Sequence, residues 1–180
     1  MIQFLKWLWN KINVYRFFPQ EPVKLPLKEV YPEPFVVDNF IAPETNAEKI
    51  VRIAKESLGK DMSPKNLAPS ELSCAEGLSN LIHEVIPNFP FDVVSTIDLF
   101  NLVRKAPKYF EPILKPEPGA IIISPRIGEQ AGHCGVFINS TAIVSNSSIS
   151  GLMTLNYTYS IWIDKFKVEK GLHIYLYKIL

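Results

Sequence analysis

Two cysteines and three histidines are the residues of this 180-residue chain best suited to nucleophilic chemistry. Cys74 follows Ser73 and opens the run CAEGLSNLIHEV, whose apolar residues recur at helical spacing. Because Ser70 or Ser73 can cap that helix, Cys74 falls in the first turn, where free backbone N–H groups and the helix dipole stabilise a thiolate. Two interpretations are open: a nucleophilic cysteine, or a small buried residue of the core.

His133 belongs to the run Gly132-His133-Cys134-Gly135-Val136-Phe137-Ile138, which predicts a strand entered through a glycine. A histidine at the start of a strand can reach the N-terminus of a helix packed on that sheet. Imidazole beside a thiol gives the ion pair of cysteine acyl transfer. Alternation places Cys134 on the opposite face from His133, so we expect Cys134 in the core. A Cys74–Cys134 disulfide, which would disable this chemistry, is the alternative.

The next predicted strand, TAIVSNSS, supplies a third candidate. Asn146 follows His133 by 146 − 133 = 13 residues, which is the length of one hairpin. We expect Asn146 to accept the second imidazole N–H and thereby fix the tautomer, as in a Cys-His-Asn triad. Ser145 takes this place if the register differs by one residue. The remaining alternative is that Asn146 is only a turn residue at the end of the strand.

Other kinds of site are disfavoured by the sequence. His83 lies on the face of its helix opposite Cys74 and so cannot serve it, and His173 lies in an apolar C-terminal strand, where we expect a structural role. The histidines have no carboxylate at metal-ligand spacing, and neither GxGxxG nor GxxxxGK[ST] occurs, so we expect no metal and no cofactor. Nineteen Lys and Arg against eighteen Asp and Glu, without a basic run, exclude a nucleic-acid partner.

Helical periodicity comes first along the chain and strand periodicity afterwards. Helices are predicted over 47–59, from Cys74 to about Val85, and over 92–104. Four short β-rich runs follow: GAIIISP, HCGVFIN, TAIVSNSS and HIYLYKIL. This order predicts an α+β domain in which helices before residue 105 pack on an antiparallel sheet of about five strands formed after residue 117.

Three segments are expected: an amphipathic helix over 1–18, a Pro-rich linker over 19–43, and the catalytic domain over 44–180. Three basic residues interrupt the apolar side chains of 1–18, so this segment matches neither a membrane-spanning helix nor a standard signal peptide. Residues 1–34 are predicted to dock on a protein partner or a membrane surface, or to pack on their own domain.

Taken together, these motifs resemble the NlpC/P60 and CHAP superfamily of papain-like cell-wall hydrolases. The matching order is Ser73-Cys74-Ala75-Glu76, then Pro118-Gly119-Ala120-Ile121, then Gly132-His133-Cys134-Gly135, then Ser145-Asn146. The resemblance covers the chain from about residue 45 onwards. The segment Trp162-Ile163-Asp164-Lys165-Phe166 is similar to that of phage-type members, as in an endolysin of a bacteriophage.

The resemblance implies a papain-like fold and hydrolysis of an amide bond in the stem peptide or cross-bridge of peptidoglycan. It implies Cys74 as nucleophile, His133 as general base and then acid, and Asn146 as the orienting residue. Ser73 stands where many members have Asp or Gln, so the side-chain donor of the oxyanion hole is unassigned. The implied location is the cell wall, the periplasm, the cell exterior or a virion. The alternative function is an assembly protein with a silent papain-like domain that docks through its N-terminal segment.

Overall fold

The computed structural model describes residues 42–63 and 73–180. Residues 42–180 form one compact unit, which carries both Cys74 and His133. The predicted helix over 1–18 and all but the end of the predicted linker over 19–43 lie outside the described residues.

The chain order of the elements is three helices, then a sheet interrupted by one helical segment. The helices are α1 (Asn46–Glu56), α2 (Cys74–Val85) and α3 (Thr96–Arg104). The strands are β1 (Phe110–Ile113), β2 (Ile121–Ser124), β3 (His133–Phe137), β4 (Ala142–Asn146), β5 (Met153–Thr158) and β6 (Tyr175–Ile179). Between β5 and β6, a short helix α4 (Tyr159–Trp162) runs directly into a π-helix (Ile163–Glu169).

Side-chain capping sets where α1 and α3 begin, whereas Ser73 at the start of α2 makes no side-chain capping bond. Thr45 and Glu48 form a reciprocal capping box at the start of α1. Helix α3 starts four residues later than the predicted 92–104, because the Ser95 hydroxyl accepts from the Asp98 N–H and Asp92 has a φ of 58°, which no helix allows. Among the described residues, no helix has the length and apolar character needed to cross a membrane.

All neighbouring strands are antiparallel, in the order β1-β6-β2-β3-β4-β5. The predicted α+β class with an antiparallel sheet is confirmed, with six strands where about five were expected. The two strands without a predicted counterpart, β1 and β5, are the two edges of the sheet. Strand β1 also begins before residue 117, where the sheet was expected to start. Its sequence FEPI contains a proline, which an edge strand tolerates because one side of its backbone has no ladder partner.

Each face of the sheet is covered by a separate apolar layer. On one face, helices α1, α2 and α3 pack through Ile50, Leu78, Leu81, Ile82 and Leu99 against residues that include Cys134, Val136 and Val144. On the other face, Trp162 and Phe166 of the helical segment pack on Ile122, Phe137 and Ile143. Helix α2, which carries Cys74, packs on β3, which carries His133, as the papain-like resemblance implies.

Candidate active site

Cys74 is the first residue of α2, and its side chain is 6% exposed. Ser73 precedes it as the N-cap and accepts the first intrahelical bond, from the Gly77 N–H, at 2.9 Å. The helix forms because Ala75, Leu78, Leu81 and Ile82 bury one apolar stripe against the sheet. The thiol therefore lies at the positive end of the helix dipole, as the sequence predicted.

Two neighbours bring the pKa of Cys74 well below its usual range. The larger contribution is hydrogen bonding by the Cys134 thiol, whose sulfur lies 3.1 Å from the Cys74 carbonyl oxygen. The His133 imidazole adds its positive charge and a second hydrogen bond, while burial opposes both effects. Both cysteines are free thiols. Burial raises the pKa of Cys134, so Cys74 is the sulfur that ionises.

His133, at the start of β3, is 7% exposed and lies in an aromatic cage. Its ring stacks on Trp162 and Phe166, with centroid distances of 5.2 and 5.4 Å, and meets Tyr157 edge-on at 5.4 Å. Gly132 allows the close entry into the strand, because a Cβ there would meet the Ser124 carbonyl oxygen and the Arg126 amide nitrogen. The cage fixes the plane of the ring while leaving its edge toward Cys74.

The second ring nitrogen of His133 is bound by a hydroxyl. His133 Nε2 lies 2.9 Å from Ser145 Oγ, and the Ser145 hydroxyl donates to Asn156 Oδ1 at 2.8 Å. Since the single hydroxyl hydrogen of Ser145 is used on Asn156, Ser145 accepts from Nε2–H. The neutral imidazole is thereby held in the tautomer that leaves Nδ1 unprotonated and available to the Cys74 thiol.

Asn146 does not orient His133, and the expectation that it would is wrong. Its Nδ2 donates to Ser73 Oγ, so Asn146 supports the residue that caps the helix of Cys74. The reason is register: Val136 pairs with Val144 and Phe137 with Ile143, which places Ser145 on the His133 face and Asn146 on the helical face. The alternative recognised in the sequence, Ser145, is the residue on the histidine.

Asn156 was not found by sequence reasoning. Along β4 and β5, Ile143 pairs with Tyr157 and Val144 with Leu155, so Asn156 is the extra residue of a β-bulge. A bulge breaks strand alternation and lets two consecutive side chains share one face. The sequence carries no signal for it, since Asn156-Tyr157-Thr158 matches only the glycosylation triplet and β5 was not predicted as a strand.

Cys74 and His133 open on a cleft of about 430 Å³. Its other lining residues are Val94, Ser95, Thr96, Arg126, Glu129, Ala131, Gly132, Ser148, Tyr157, Lys165, Phe166 and Lys170. The cleft gives a ligand access to the sulfur, and the backbone N–H of Cys74, which has no acceptor within its own helix, supplies one oxyanion donor. In the described part of the chain, no group of three or more His, Cys, Asp and Glu could hold a metal ion.

The other two histidines lie away from this cleft. His83 Nδ1 is 2.7 Å from the Phe89 carbonyl oxygen, and its ring meets Phe91 edge-on. His173 lies against Tyr175 in the segment before β6. Neither lines the cleft, so among the described residues His133 is the histidine that lies there with Cys74.

Comparisons with known proteins found a distant likeness to a chain of a solved structure. No family model matches the chain, and no curated protein matches it. The chain is similar to a chain in the crystal structure of the type VI native effector–immunity complex Tae3–Tai3 from Ralstonia pickettii, with 17% sequence identity and a TM-score of 0.43 over 74% of this chain and 98% of that chain. A likeness this distant assigns neither activity nor partner, so the NlpC/P60 and CHAP resemblance stays one of motifs.

Proposed function

We propose that this chain is a hydrolase that cleaves an amide bond of peptidoglycan through an acyl-enzyme on Cys74. One observation carries the hydrolase part: a thiol of lowered pKa at a helix start, beside a histidine whose tautomer is fixed, in a cleft open to a ligand. The peptidoglycan part rests on the motifs around Cys74, Gly119 and His133. The corresponding site of action is the cell wall, in the periplasm or outside the cell.

The first half of the reaction forms the acyl-enzyme. The Cys74 thiolate attacks the carbonyl carbon of the amide, and the oxygen that becomes negative accepts from the Cys74 backbone N–H. The His133 imidazolium then gives its Nδ1 proton to the leaving amine as the C–N bond breaks. A thioester between the substrate acyl group and Cys74 remains.

The second half regenerates the enzyme. Nδ1 of His133, now unprotonated, removes a proton from a water molecule, which attacks the thioester carbonyl. The tetrahedral intermediate collapses as its C–S bond breaks, the carboxylic acid leaves, and the proton held on Nδ1 restores the thiolate–imidazolium pair. Throughout both halves, the Nε2–H group of His133 stays hydrogen-bonded to the Ser145 hydroxyl. The imidazole therefore transfers protons only through Nδ1.

The test is hydrolysis of purified wall material, followed by mass spectrometry of the released muropeptides. We expect Cys74→Ala to lower the rate by about a thousandfold or more, and His133→Ala to be nearly as severe, because nucleophile and base act as one unit. His173→Ala is the matched control and should keep full activity. Equal activity in the wild type and Cys74→Ala would overturn the proposal and leave the docking function as the alternative.

A further inference from the structure

The cleft beside Cys74 carries an excess of positive charge. Three cations and one carboxylate line it: Arg126, Lys165, Lys170 and Glu129. Within the described ranges, the ion pairs involve other basic residues, Arg52 and Lys178, and none includes a cation of the cleft. The cleft cations donate instead to neutral oxygens, Arg126 Nε to Gly128 O at 2.7 Å, Lys165 Nζ to Tyr157 Oη at 2.7 Å, and Lys170 Nζ to Ala131 O at 3.3 Å.

Two of these cations lie close to the catalytic histidine. Lys165 Nζ is 5.0 Å from the centroid of Tyr157 and 5.7 Å from that of Phe166. Lys170 Nζ is 5.2 Å from the same Phe166 centroid. The two rings that hold the ammonium groups are also the rings that contact His133. Each ammonium group therefore lies over an aromatic ring that itself contacts the His133 ring.

Both lysines belong to the π-helical segment and its end. Lys165 lies inside the π-helix Ile163–Glu169, and Lys170 follows directly as its C-cap, with its backbone N–H bonded to the Lys167 carbonyl oxygen. In an uninterrupted α-helix, a spacing of five residues would place the two side chains roughly 140° apart around the axis. Here both ammonium groups lie over Phe166 and line the same cleft.

We infer that Lys165 and Lys170 form a carboxylate-binding subsite, and that the substrate carries a carboxylate close to the amide bond that is cleaved. That the bound carboxylate belongs to a substrate rests on the proposed function. Half-buried ammonium groups held only by neutral partners gain a full charge partner when an anion enters. A carboxylate bound there would align the neighbouring amide with Cys74, so the subsite selects acidic peptides over neutral ones.

The first experiment measures the local charge without using hydrolysis. The full chain is alkylated with iodoacetate and with iodoacetamide, and the ratio of the two rates at Cys74 is compared with that of free cysteine. We expect a ratio above that of free cysteine, falling by about threefold in each of Lys165→Met and Lys170→Met, as for loss of one nearby unit charge. The iodoacetamide rate controls for changes in folding and in thiolate fraction.

Lys167→Met is the matched control, because Lys167 lies on the same π-helix but is exposed and does not line the cleft. Its alkylation ratio should equal that of the wild type. The subsite is overturned if the ratio is unchanged in both cleft variants, or if the control lowers it equally.

The second experiment separates the subsite from the hydrolase. Muropeptides from purified wall are used as prepared and after carbodiimide conversion of their carboxylates to carboxamides. We expect Lys165→Met and Lys170→Met to raise KM several-fold for the acidic peptides, with kcat little changed, and to leave KM for the amidated peptides unchanged. Equal hydrolysis of both peptide sets by the wild type overturns the subsite alone. No hydrolysis of either set, with the alkylation ratio as expected, overturns the proposed function alone.

Discussion

His133 is oriented through two residues in series rather than one. Its Nε2 contacts the Ser145 hydroxyl, and that hydroxyl in turn contacts Asn156 Oδ1. A serine hydroxyl can rotate, so by itself it could either donate a hydrogen bond to an imidazole nitrogen or accept one from it. Asn156 removes this freedom by taking the hydroxyl hydrogen. Ser145 and Asn156 are therefore positioning residues, which act on the reaction only through His133.

Replacing either positioning residue should lower kcat without abolishing it. We expect Ser145→Ala to cost roughly tenfold to a hundredfold in kcat, because a buried N–H loses its acceptor and the tautomer is no longer fixed. Asn156→Ala should cost less, since Ser145 remains as an acceptor. The measurement is kcat and KM against pH on wall-derived muropeptides, together with the alkylation rate of Cys74.

Asn156→Asp is the control for this pair, because a carboxylate keeps an acceptor for the Ser145 hydroxyl. It should restore most of the activity lost in Asn156→Ala. If Ser145→Ala keeps both the wild-type kcat and the wild-type pH profile, the orientation of His133 does not depend on this hydroxyl.

Cys134 has an unexpected influence on the nucleophile. Predicted as a core residue or as a disulfide partner of Cys74, it is a fully buried free thiol, and it makes the largest contribution to the lowered pKa of Cys74. Its own pKa is raised by burial, so it stays protonated and remains a donor when Cys74 ionises. In the neutral state, the Cys74 carbonyl oxygen at 3.1 Å is an acceptor for the same thiol.

We expect Cys134→Ala to move the acid limb of Cys74 reactivity to higher pH. The substitution removes the donor that stabilises the thiolate, so the pKa of Cys74 rises toward the ordinary range of a cysteine. The measurement is the rate of iodoacetamide modification at Cys74 against pH, with the site of modification assigned by peptide mass spectrometry. Cys134→Ser keeps a donor of similar size and should retain a lowered pKa. If the acid limb of Cys74 alkylation lies at the same pH in Cys134→Ala as in the wild type, Cys134 does not lower the pKa, and His133 and the helix alone account for it.

At the scale of elements, two irregularities meet at the active site. The bulge in β5 turns Asn156 toward Ser145, and the π-helix carries Lys165, with Lys170 as its C-cap, beside the cleft. Both devices insert extra backbone into a regular element and so change where a side chain points. The regular parts of the fold, α2 and β3, position the reacting atoms, and the irregular parts position the groups that support them.

The close pairing of β3 with β4 depends on Gly135. A Cβ at this position would lie 2.7 Å from the Val144 carbonyl oxygen and 3.0 Å from Ser145 Cβ. We expect Gly135→Ala to destabilise the protein by about 1–3 kcal/mol and to lower activity, because the strands must separate next to the His133–Ser145 contact. Thermal unfolding and muropeptide hydrolysis measure the two effects.

Gly77→Ala is the matched control for that substitution. A Cβ on Gly77, inside α2, meets its nearest neighbour, the Met153 sulfur, at an ordinary 3.5 Å. We expect Gly77→Ala to raise stability by about 0.4–1 kcal/mol, since alanine favours the helix and restricts the unfolded chain. A Gly135→Ala protein as stable as Gly77→Ala would contradict the packing argument.

Regular elements account for what could be predicted from the sequence. Helical spacing located α2 and its first residue, and Gly132-His133-Cys134-Gly135 located the strand with the histidine. The choice between Ser145 and Asn146 depended on the exact connection between β3 and β4, where a one-residue change exchanges the two faces. Asn156 and the paired lysines depend on a bulge and a π-helix, and no local sequence pattern encodes either one.

At the scale of the whole molecule, the two proposed catalytic residues come from opposite faces of one sheet. Cys74 belongs to the helical layer and His133 stacks within the aromatic layer of Trp162 and Phe166. The site therefore forms at an end of the sheet and requires both layers to be docked. Strand β6 joins the edge strand β1 to β2 and the rest of the sheet, although β6 comes last of the described strands along the chain.

A chain that stops after Ile174 should not fold cooperatively. It lacks β6, so, among the described strands, β1 loses the strand it pairs with and β2 loses one of its two partners. It also loses Leu176 from the aromatic layer and Tyr177 and Ile179 from the helical one. We expect no cooperative thermal transition by circular dichroism and ordinary thiol reactivity at Cys74. A sharp transition in the shortened chain would show that β6 is dispensable.

The position of β6 also determines when the candidate site can form during synthesis of the chain. The ribosome makes Cys74, His133 and Ser145 well before Tyr175–Ile179, at roughly 5–20 residues per second. Until that strand arrives, the nascent chain has every reacting group but no completed sheet to hold them in place. If the proposed function holds, we expect a nascent chain to be inert toward amide bonds until Tyr175–Ile179 has been made and has paired with β1 and β2.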